Sequence, residues 1–415
     1  MGQTFQPIEF DVIVAGGGHV GAALALAVKD ADRRCRVALV DPQPRGPRAD
    51  ARASAIAAAA RRMLTRLGAW EAIAPQAQPI EEMICTDSSL DQAVKPVFLT
   101  FEGRLDTGEP FAHMVPDGLL VSTLLTRAEA AGVEILMPET VAGFDVDEVA
   151  ASVRLGSGRV VRTRLLVAAD GVRSRLRELA GIQVVRFDYG QSGIVTTLAH
   201  ERPHEGRAEE HFLPSGPFAI LPLTDDAEGR HRSSLVWSEK TETANRLVAG
   251  DDFTFRLELE RRFGHHLGKI EPLAKPKAFP LGLTLARDFV KDRFALVGDA
   301  AHGMHPIAGQ GLNIGLRDVA ALAEAIVEAR RLGLDPGRIE VLEGYQRRRR
   351  FDAVEMGVVT DGLNRLFSND LTALRALRDF GLGIVDRLPA VKAHFIREAA
   401  GTGGDMPRLM RGEAI

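Results

Sequence analysis

The feature that most constrains this chain is a glycine triplet. Gly16, Gly18 and Gly21 spell G-x-G-x-x-G between an apolar strand pattern, Phe10 to Ala15, and an Ala/Leu-rich helical pattern from about Gly21. A second strand pattern, Arg36 to Val40, ends on Asp41, 20 residues beyond Gly21. The first glycine makes the tight turn, the second lets backbone approach a pyrophosphate, and the third packs helix on strand. The helix N-terminus then faces the phosphates. Asp41 is placed to accept ribose hydroxyl bonds, and its charge repels a 2′-phosphate. Strand, loop, helix and acid in this register mark a Rossmann-like dinucleotide site that suits NAD and FAD equally.

Composition narrows the class further. At about 150 residues per domain, 415 residues leave room for two or three domains. A net charge of −4, with 26% charged and 45% hydrophobic residues, excludes wholesale disorder and a nucleic-acid-binding polycation. Cys35 and Cys85 allow one bridge at most, which rules out a disulfide-built scaffold, and neither has a partner at zinc-ligand spacing. Residues Met1 to Phe10 lack the basic region and apolar core of a secretory signal. Gly2 is followed by Gln6 where a myristoylation pattern wants Ser or Thr. No run reaches the about 18 apolar residues of a spanning helix. The expectation is a cytoplasmic protein, with contact at the inner face of a membrane as its one membrane option.

The pattern along the chain predicts α/β architecture: a Rossmann-like cofactor domain, an inserted β-sheet domain and a helical C-terminal region. A helix is expected over Ala49 to Leu67, carrying Arg52, and another over Leu119 to Ala131. Residues 76–112 mix Pro, Asp and Gly with short β-like runs, and 182–280 shift to short alternating strands such as Gly193 to Leu198 and Ser233 to Val236. The expected division is therefore 1–75, 113–181 and 281–345 for the cofactor domain, 76–112 and 182–280 for the inserted antiparallel domain, and 346–415 for the helical end.

The stretch Arg293 to Asp318 separates the cofactor options. Asp299 follows the strand pattern Phe294 to Val297, where a carboxylate is costly unless donors reach it. A ribityl hydroxyl chain would supply them; an N-capping role is the plainer alternative. Gly309, Gly311 and Gly315 let backbone approach a flat ligand. Leu312 and Asn313 open a helix whose free N–H groups can face the pyrimidine edge of a flavin and stabilise its reduced, anionic form.

Gly298-Asp299-Ala300-Ala301-His302, followed by the run from His305 and Pro306 through Gly309, Gln310, Gly311, Leu312 and Asn313 to Asp318, resembles the signature of the ubiquinone-biosynthesis hydroxylases. These are group A FAD monooxygenases with the para-hydroxybenzoate hydroxylase fold. Asp170-Gly171, after the strand pattern Leu165 to Ala169, matches the family's third motif, which serves both FAD and the nicotinamide donor. The resemblance implies that Gly16, Gly18, Gly21 and Asp41 hold the ADP half of FAD, that Arg52 lies near the flavin, and that Asp299 holds the ribityl chain. It places Gly298, Pro306 and Gly309 to Asn313 around the flavin. One departure stands out: where the family's helix usually carries Arg or Gln toward the cofactor, this chain has Val121.

His305 is the candidate catalytic base, with packing as its alternative role. The resemblance implies hydroxylation of a polyprenylated phenol with O2 and NAD(P)H, the flavin C4a-hydroperoxide doing the chemistry. Other proteins of ubiquinone biosynthesis are the implied partners, and nucleic acid is not expected. Arg347 to Arg350 reads as a solvated helix face. From Tyr345 to Arg397, 10 Lys/Arg stand against 6 Asp/Glu, with Leu363, Leu366, Phe367, Leu374, Leu377 and Phe380 interleaved. That pattern suits helical packing on the cofactor domain or an amphipathic membrane surface.

Overall fold

The computed structural model describes residues 7–46, 52–87, 97–305, 309–367 and 396–415. The architecture is mixed α/β, built on two large sheets and one small one. The path of the first sheet runs Val290–Lys291, Phe294–Leu296, Val160–Ala168, Phe10–Ala15, Val37–Val40, Glu134–Leu136. From Phe294–Leu296 onward every neighbour on that path is parallel. Phe10–Ala15 is buried along its whole length. A parallel strand covered on both faces needs a continuous apolar run rather than an alternating one. Its single charge, Asp11, is paired with Arg36 and Arg330.

Helix His19–Ala31 follows the glycine turn and buries Gly21 through Val28. Helix Gln310–Arg331 buries a stripe from Asn313 to Ala329, and both helices join the strands in one apolar core. Helix Asp117–Ala131 adds Leu120, Val121 and Leu124 to that core. Val121 is therefore a packing residue and makes no polar contact in place of the family's Arg or Gln.

The expected helix over Ala49 to Leu67, of which 49–51 lie outside the described residues, begins with a strand. Ala53–Ala57 pairs antiparallel with Ala112–Pro116 in a three-stranded sheet, and the helix begins only at Ala58. Alanine favours helix by propensity. Here the ladder to Ala112–Pro116 decides, because strand preference follows from pairing and burial more than from the residue itself. Arg52 accordingly precedes a strand and is not on a helix.

The second sheet has nine strands, eight of them in the order His302–Gly303, Lys277–Ala286, Val184–His200, His231–Lys240, Gly216–Leu223, Arg207–Leu213, Glu82–Asp87, Val97–Glu102. Its pairs are antiparallel except that Arg207–Leu213 runs parallel to Glu82–Asp87. One face, carrying Ile194, Leu198, Phe218, Leu235 and Trp237, packs on residues of helices Thr241–Ala249 and Asp252–Phe263. The opposite face turns toward the three-stranded sheet and the helix Ile339–Phe367, through Ala208 and Leu221 at one end and Phe212 at the other. None of the described helices is long and apolar enough to cross a membrane.

Candidate active site

Adjacent parallel strands bring the sequence motifs into one row. The C-terminal ends of Phe294–Leu296, Val160–Ala168, Phe10–Ala15 and Val37–Val40 lie side by side, in register through Leu296, Ala168, Ala15 and Val40. Those ends carry Gly298-Asp299, Asp170-Gly171, the Gly16 to Gly18 turn and Asp41. Strands about 4.8 Å apart thus present four polar loops along one sheet edge, where ligands of open α/β sheets bind.

The glycines divide into two kinds. Gly16 has φ +117°, and a Cβ there would lie 2.2 Å from the carbonyl oxygen of Ala169. A Cβ on Gly21 would lie 1.8 Å from the carbonyl oxygen of Gly16. These two serve the packing of helix against strand. At Gly18, Gly171 and Gly311 a Cβ would meet nothing within 4 Å. Their bare backbones face open space, which is the cradle a pyrophosphate and a flat ring system require.

Asp41 is buried, and its carboxylate accepts from Gly17 N–H at 2.6 Å and Gln43 N–H at 2.8 Å. It shapes the glycine turn from below. Asp170 is exposed and accepts from Leu176 N–H at 3.2 Å. Asp299 lies inside a short 3-10 turn, Gly298–Ala300, rather than capping a helix. Contrary to the expectation of a buried carboxylate, its side chain opens to solvent. The surrounding protein still pushes its carboxyl up, against the pull of His302, His19 and Arg52. An acceptor held like this can take hydroxyl donors from a ligand.

Asp318, His302, Arg349 and Arg177, which the sequence did not single out as site residues, fix this row. Asp318 is wholly buried and accepts from Gly298 N–H at 3.0 Å, from His302 Nε2, and from Arg349 Nε at 2.8 Å. Burial pushes the Asp318 carboxyl up, but the charges and hydrogen bonds of His302 and Arg349 outweigh it and hold it below its usual range. Arg349 corrects the reading of Arg347 to Arg350 as a solvated face: its exposure is 1%. Arg348 reaches Glu324 at 2.8 Å, and only Arg347 and Arg350 remain exposed. Arg177, also buried, donates to Ala300 O at 2.8 Å and Val172 O at 3.0 Å, tying the Asp299 turn to the Asp170 loop.

Beyond the row, Gly309 has φ +64° and precedes the helix that starts at Gln310. The Asn313 side chain is a clamp: it accepts from Ala57 N–H at 2.9 Å and donates to Ala55 O and Gly309 O. It thereby sets strand Ala53–Ala57 against the turn, leaving the backbone of Gly311 and Leu312 for a ligand. Gln310 donates to Ala399 O at 3.3 Å. Arg52 lies 3.8 Å from Asp117, which also accepts from Ser54, and stacks 5.6 Å over Phe279. Pro306 lies outside the described residues. His305 is buried, its two ring nitrogens without a partner among the described residues, with Tyr189 edge-on at 5.6 Å. Burial pushes its pKa down to about 4, so the ring is neutral near pH 7.

Two strapped glycine loops, an acidic turn and a helix N-terminus along one sheet edge define a flavin-dinucleotide site of the FAD-dependent oxidoreductase type. The chain belongs to the family described as "FAD binding domain", whose model matches residues 9–356. It is 44% identical over 412 residues to the ubiquinone hydroxylase UbiL of Rhodospirillum rubrum, covering 97% of this chain and 92% of the relative. It is 33% identical over 405 residues to the 3-demethoxyubiquinol 3-hydroxylase of Escherichia coli, covering 96% and 100%. Among solved structures, the p-nitrophenol 4-monooxygenase PnpA of Pseudomonas putida superposes with a TM-score of 0.78 at 20% identity, over 97% of this chain and all of that one. That likeness establishes the fold. The cofactor is FAD, and the open glycine backbones and the solvent-facing Asp299 carboxyl suit it.

Proposed function

We propose that this protein is an FAD-dependent monooxygenase that hydroxylates the aromatic ring of a polyprenylated phenol in ubiquinone biosynthesis. One observation carries the reading: the sheet face turned toward the Gly309 turn holds an apolar cluster at each of its two ends. Ala208, Met83 and Leu221 join Ala53 and Ala55 beside the turn, and Phe212, Leu99 and Phe101 continue to Leu363 and Leu366 of the helix Ile339–Phe367. A ring seated near the turn has an apolar path for its tail, and each buried CH2 contributes about 0.8 kcal/mol. The full-length relation to a ubiquinone hydroxylase supports the same substrate class.

Bound FAD supplies the two-electron chemistry that activates O2, with NAD(P)H as the reductant. Gly16, Gly18, Gly21 and Asp41 hold the ADP half; Asp170-Gly171 and Gly298-Asp299 hold the ribityl and pyrophosphate region; Gly309 to Asn313 line the ring, with Arg52 near its edge. His305, neutral near pH 7, positions bound groups by hydrogen bonding. We read 182–280 with 76–112 as the substrate domain, 1–75, 113–181 and 281–345 as the FAD domain, and 346–415 as the helical end. Phe351, Val354 and Val358, exposed at helical spacing beside Arg347 and Arg350, support contact with a membrane surface that holds the substrate.

The test is to delete the gene in a strain without a redundant hydroxylase and extract the lipids. Loss of ubiquinone with accumulation of one prenylated phenol is the expected result. Normal ubiquinone with no accumulated intermediate overturns the reading in favour of a water-soluble aromatic substrate.

A further inference from the structure

Strand Arg207–Leu213 places two adjacent carboxylates on opposite faces of the substrate sheet. Glu209 points outward, where it meets His266 Nε2 at 2.9 Å. Glu210, by strand alternation, shares the inner face with Ala208 and Phe212. Ala208 belongs to the cluster with Ala53 and Ala55, and a Cβ on Gly309 would lie 3.1 Å from Ala55. Phe212 belongs to the cluster that reaches Leu363 and Leu366. Glu210 therefore stands between the two apolar ends of the face, about 7 Å from each neighbour along the strand.

The row across the sheet at this level is Leu99, Cys85, Glu210, Ala219, Val236, Val195, Lys277. Glu210 is its one buried carboxyl, 6% exposed. Cys85 beside it stays a thiol, pushed up by burial and by Glu210. Lys277 is exposed at the far side, four strands away. Burial alone pushes the Glu210 carboxyl up to about 7. Among the described residues, none of the charged or titratable groups on the facing elements compensates it: Arg52, His305, the Asp361–Arg365 pair, Arg397 or Glu398. An unpaired carboxyl on an apolar wall is costly to stability and calls for a functional partner.

We propose that Glu210 accepts the hydrogen bond of the substrate's phenolic hydroxyl and takes its proton as the ring is hydroxylated. The inference rests on assigning this face to a prenylated phenol. In the step, the O–H bond breaks, its electron pair stays on the phenolate oxygen and the proton moves to a Glu210 carboxylate oxygen. The ring becomes electron-rich where oxygen is to be added, and the proton returns when the phenol is released. A base with a pKa near the working pH suits such a transfer.

The experiment uses the FAD-loaded protein with 2-geranylphenol and its methyl ether, which has no hydroxyl proton. Expected are at least about tenfold tighter binding of the phenol than of the ether, and hydroxylation that rises with pH and levels off above about pH 7. Glu210→Gln should keep phenol affinity within a few-fold, lose about 100-fold or more in kcat, and lose the rise with pH. Glu210→Asp should restore the pH dependence in part, and Glu209→Gln should leave it unchanged. A wild-type rate and pH profile in Glu210→Gln, or equal binding of phenol and ether, overturns the proposal. If Glu210→Gln fails to retain FAD, the wild-type pH profile and the phenol-to-ether ratio decide alone. If the geranyl compounds do not bind while a small soluble phenol is hydroxylated, the substrate reading fails, and the pH profile on that phenol still judges Glu210.

Discussion

Arg349 donates from Nε to Oδ1 of Asp318 at 2.8 Å, and both side chains are buried. The other oxygen of Asp318 receives Gly298 N–H and His302, so one carboxylate links the helix Ile339–Phe367 to the turn that carries Asp299. Removing one partner leaves an uncompensated buried charge, at a cost of roughly 3–5 kcal/mol. Arg349→Leu should therefore lower the thermal midpoint steeply and weaken FAD binding, although Arg349 itself need not touch the cofactor. Calorimetry and FAD fluorescence titration check both. Because the folded pKa of Asp318 is lowered, its contribution is present above about pH 4, the unfolded value, and is lost as pH falls through the folded value.

The two kinds of glycine should separate fold from ligand. Gly16→Ala drives a Cβ into the Ala169 carbonyl and should destabilise the whole FAD domain. Gly18→Val places its side chain in open space and should leave the thermal midpoint of the FAD-free protein within a few degrees, while reducing FAD affinity at least about tenfold. Equal FAD affinity in Gly18→Val and wild type would show that this backbone does not meet the pyrophosphate.

Much of the cradle was legible because its demands are local. A turn at positive φ, a helix packed on a strand and a close backbone approach each need glycine at a fixed place, so Gly16, Gly21 and Gly309 announce themselves. Asp318 and Arg349 did not. Their partnership joins two helices, and an arginine within a run of four gives no sign of which one points inward. The strand Ala53–Ala57 was hidden for another reason: alanine reads as helix until a pairing partner is known. Glu209 and Glu210 are indistinguishable in sequence, and only strand register sends one outward and the other to the inner face.

Asp299 should contribute directly to cofactor affinity. Its open carboxyl can accept ribityl hydroxyls, and hydrogen bonds to a charged acceptor are worth about 1.5–3 kcal/mol each. Asp299→Ala should weaken FAD by about that amount per bond, and Asp299→Asn by less, since the amide oxygen still accepts. Unchanged affinity in Asp299→Ala would reduce the residue to a turn former.

His305 should report on acid sensitivity in the FAD-free protein. Its folded pKa is pushed down to about 4 by burial, below the unfolded value, so the unfolded chain binds the extra proton first. Stability is then intact above about pH 6.5 and declines as pH falls toward about 4, by about 2 kcal/mol at about pH 5. Replacing His305 with Asn should flatten that part of the curve, leaving the similar contribution of His113, whose pKa burial and Arg61 also push down to about 4. Urea midpoints at the two ends of the window test it; parallel curves for variant and wild type would place the proton elsewhere.

The helix Ile339–Phe367 should govern access to a membrane-held substrate. Phe351 is 71% exposed and Val358 67%, two turns apart on one side of the helix, with Val354 between them. Arg347 and Arg350 lie in the turn before this stretch and suit anionic headgroups, where each cation contributes about 1 kcal/mol near the surface. Burying Phe351 and Val358 in the interface would add about 1.5–3 kcal/mol apiece. Phe351→Glu with Val358→Glu should therefore abolish co-sedimentation with phosphatidylglycerol-containing vesicles while leaving FAD content and the hydroxylation of a soluble short-chain phenol unchanged. Salt should weaken the wild-type interaction only in part, because the apolar share is not screened. Vesicle binding that survives the double substitution would move the membrane-facing surface away from this helix.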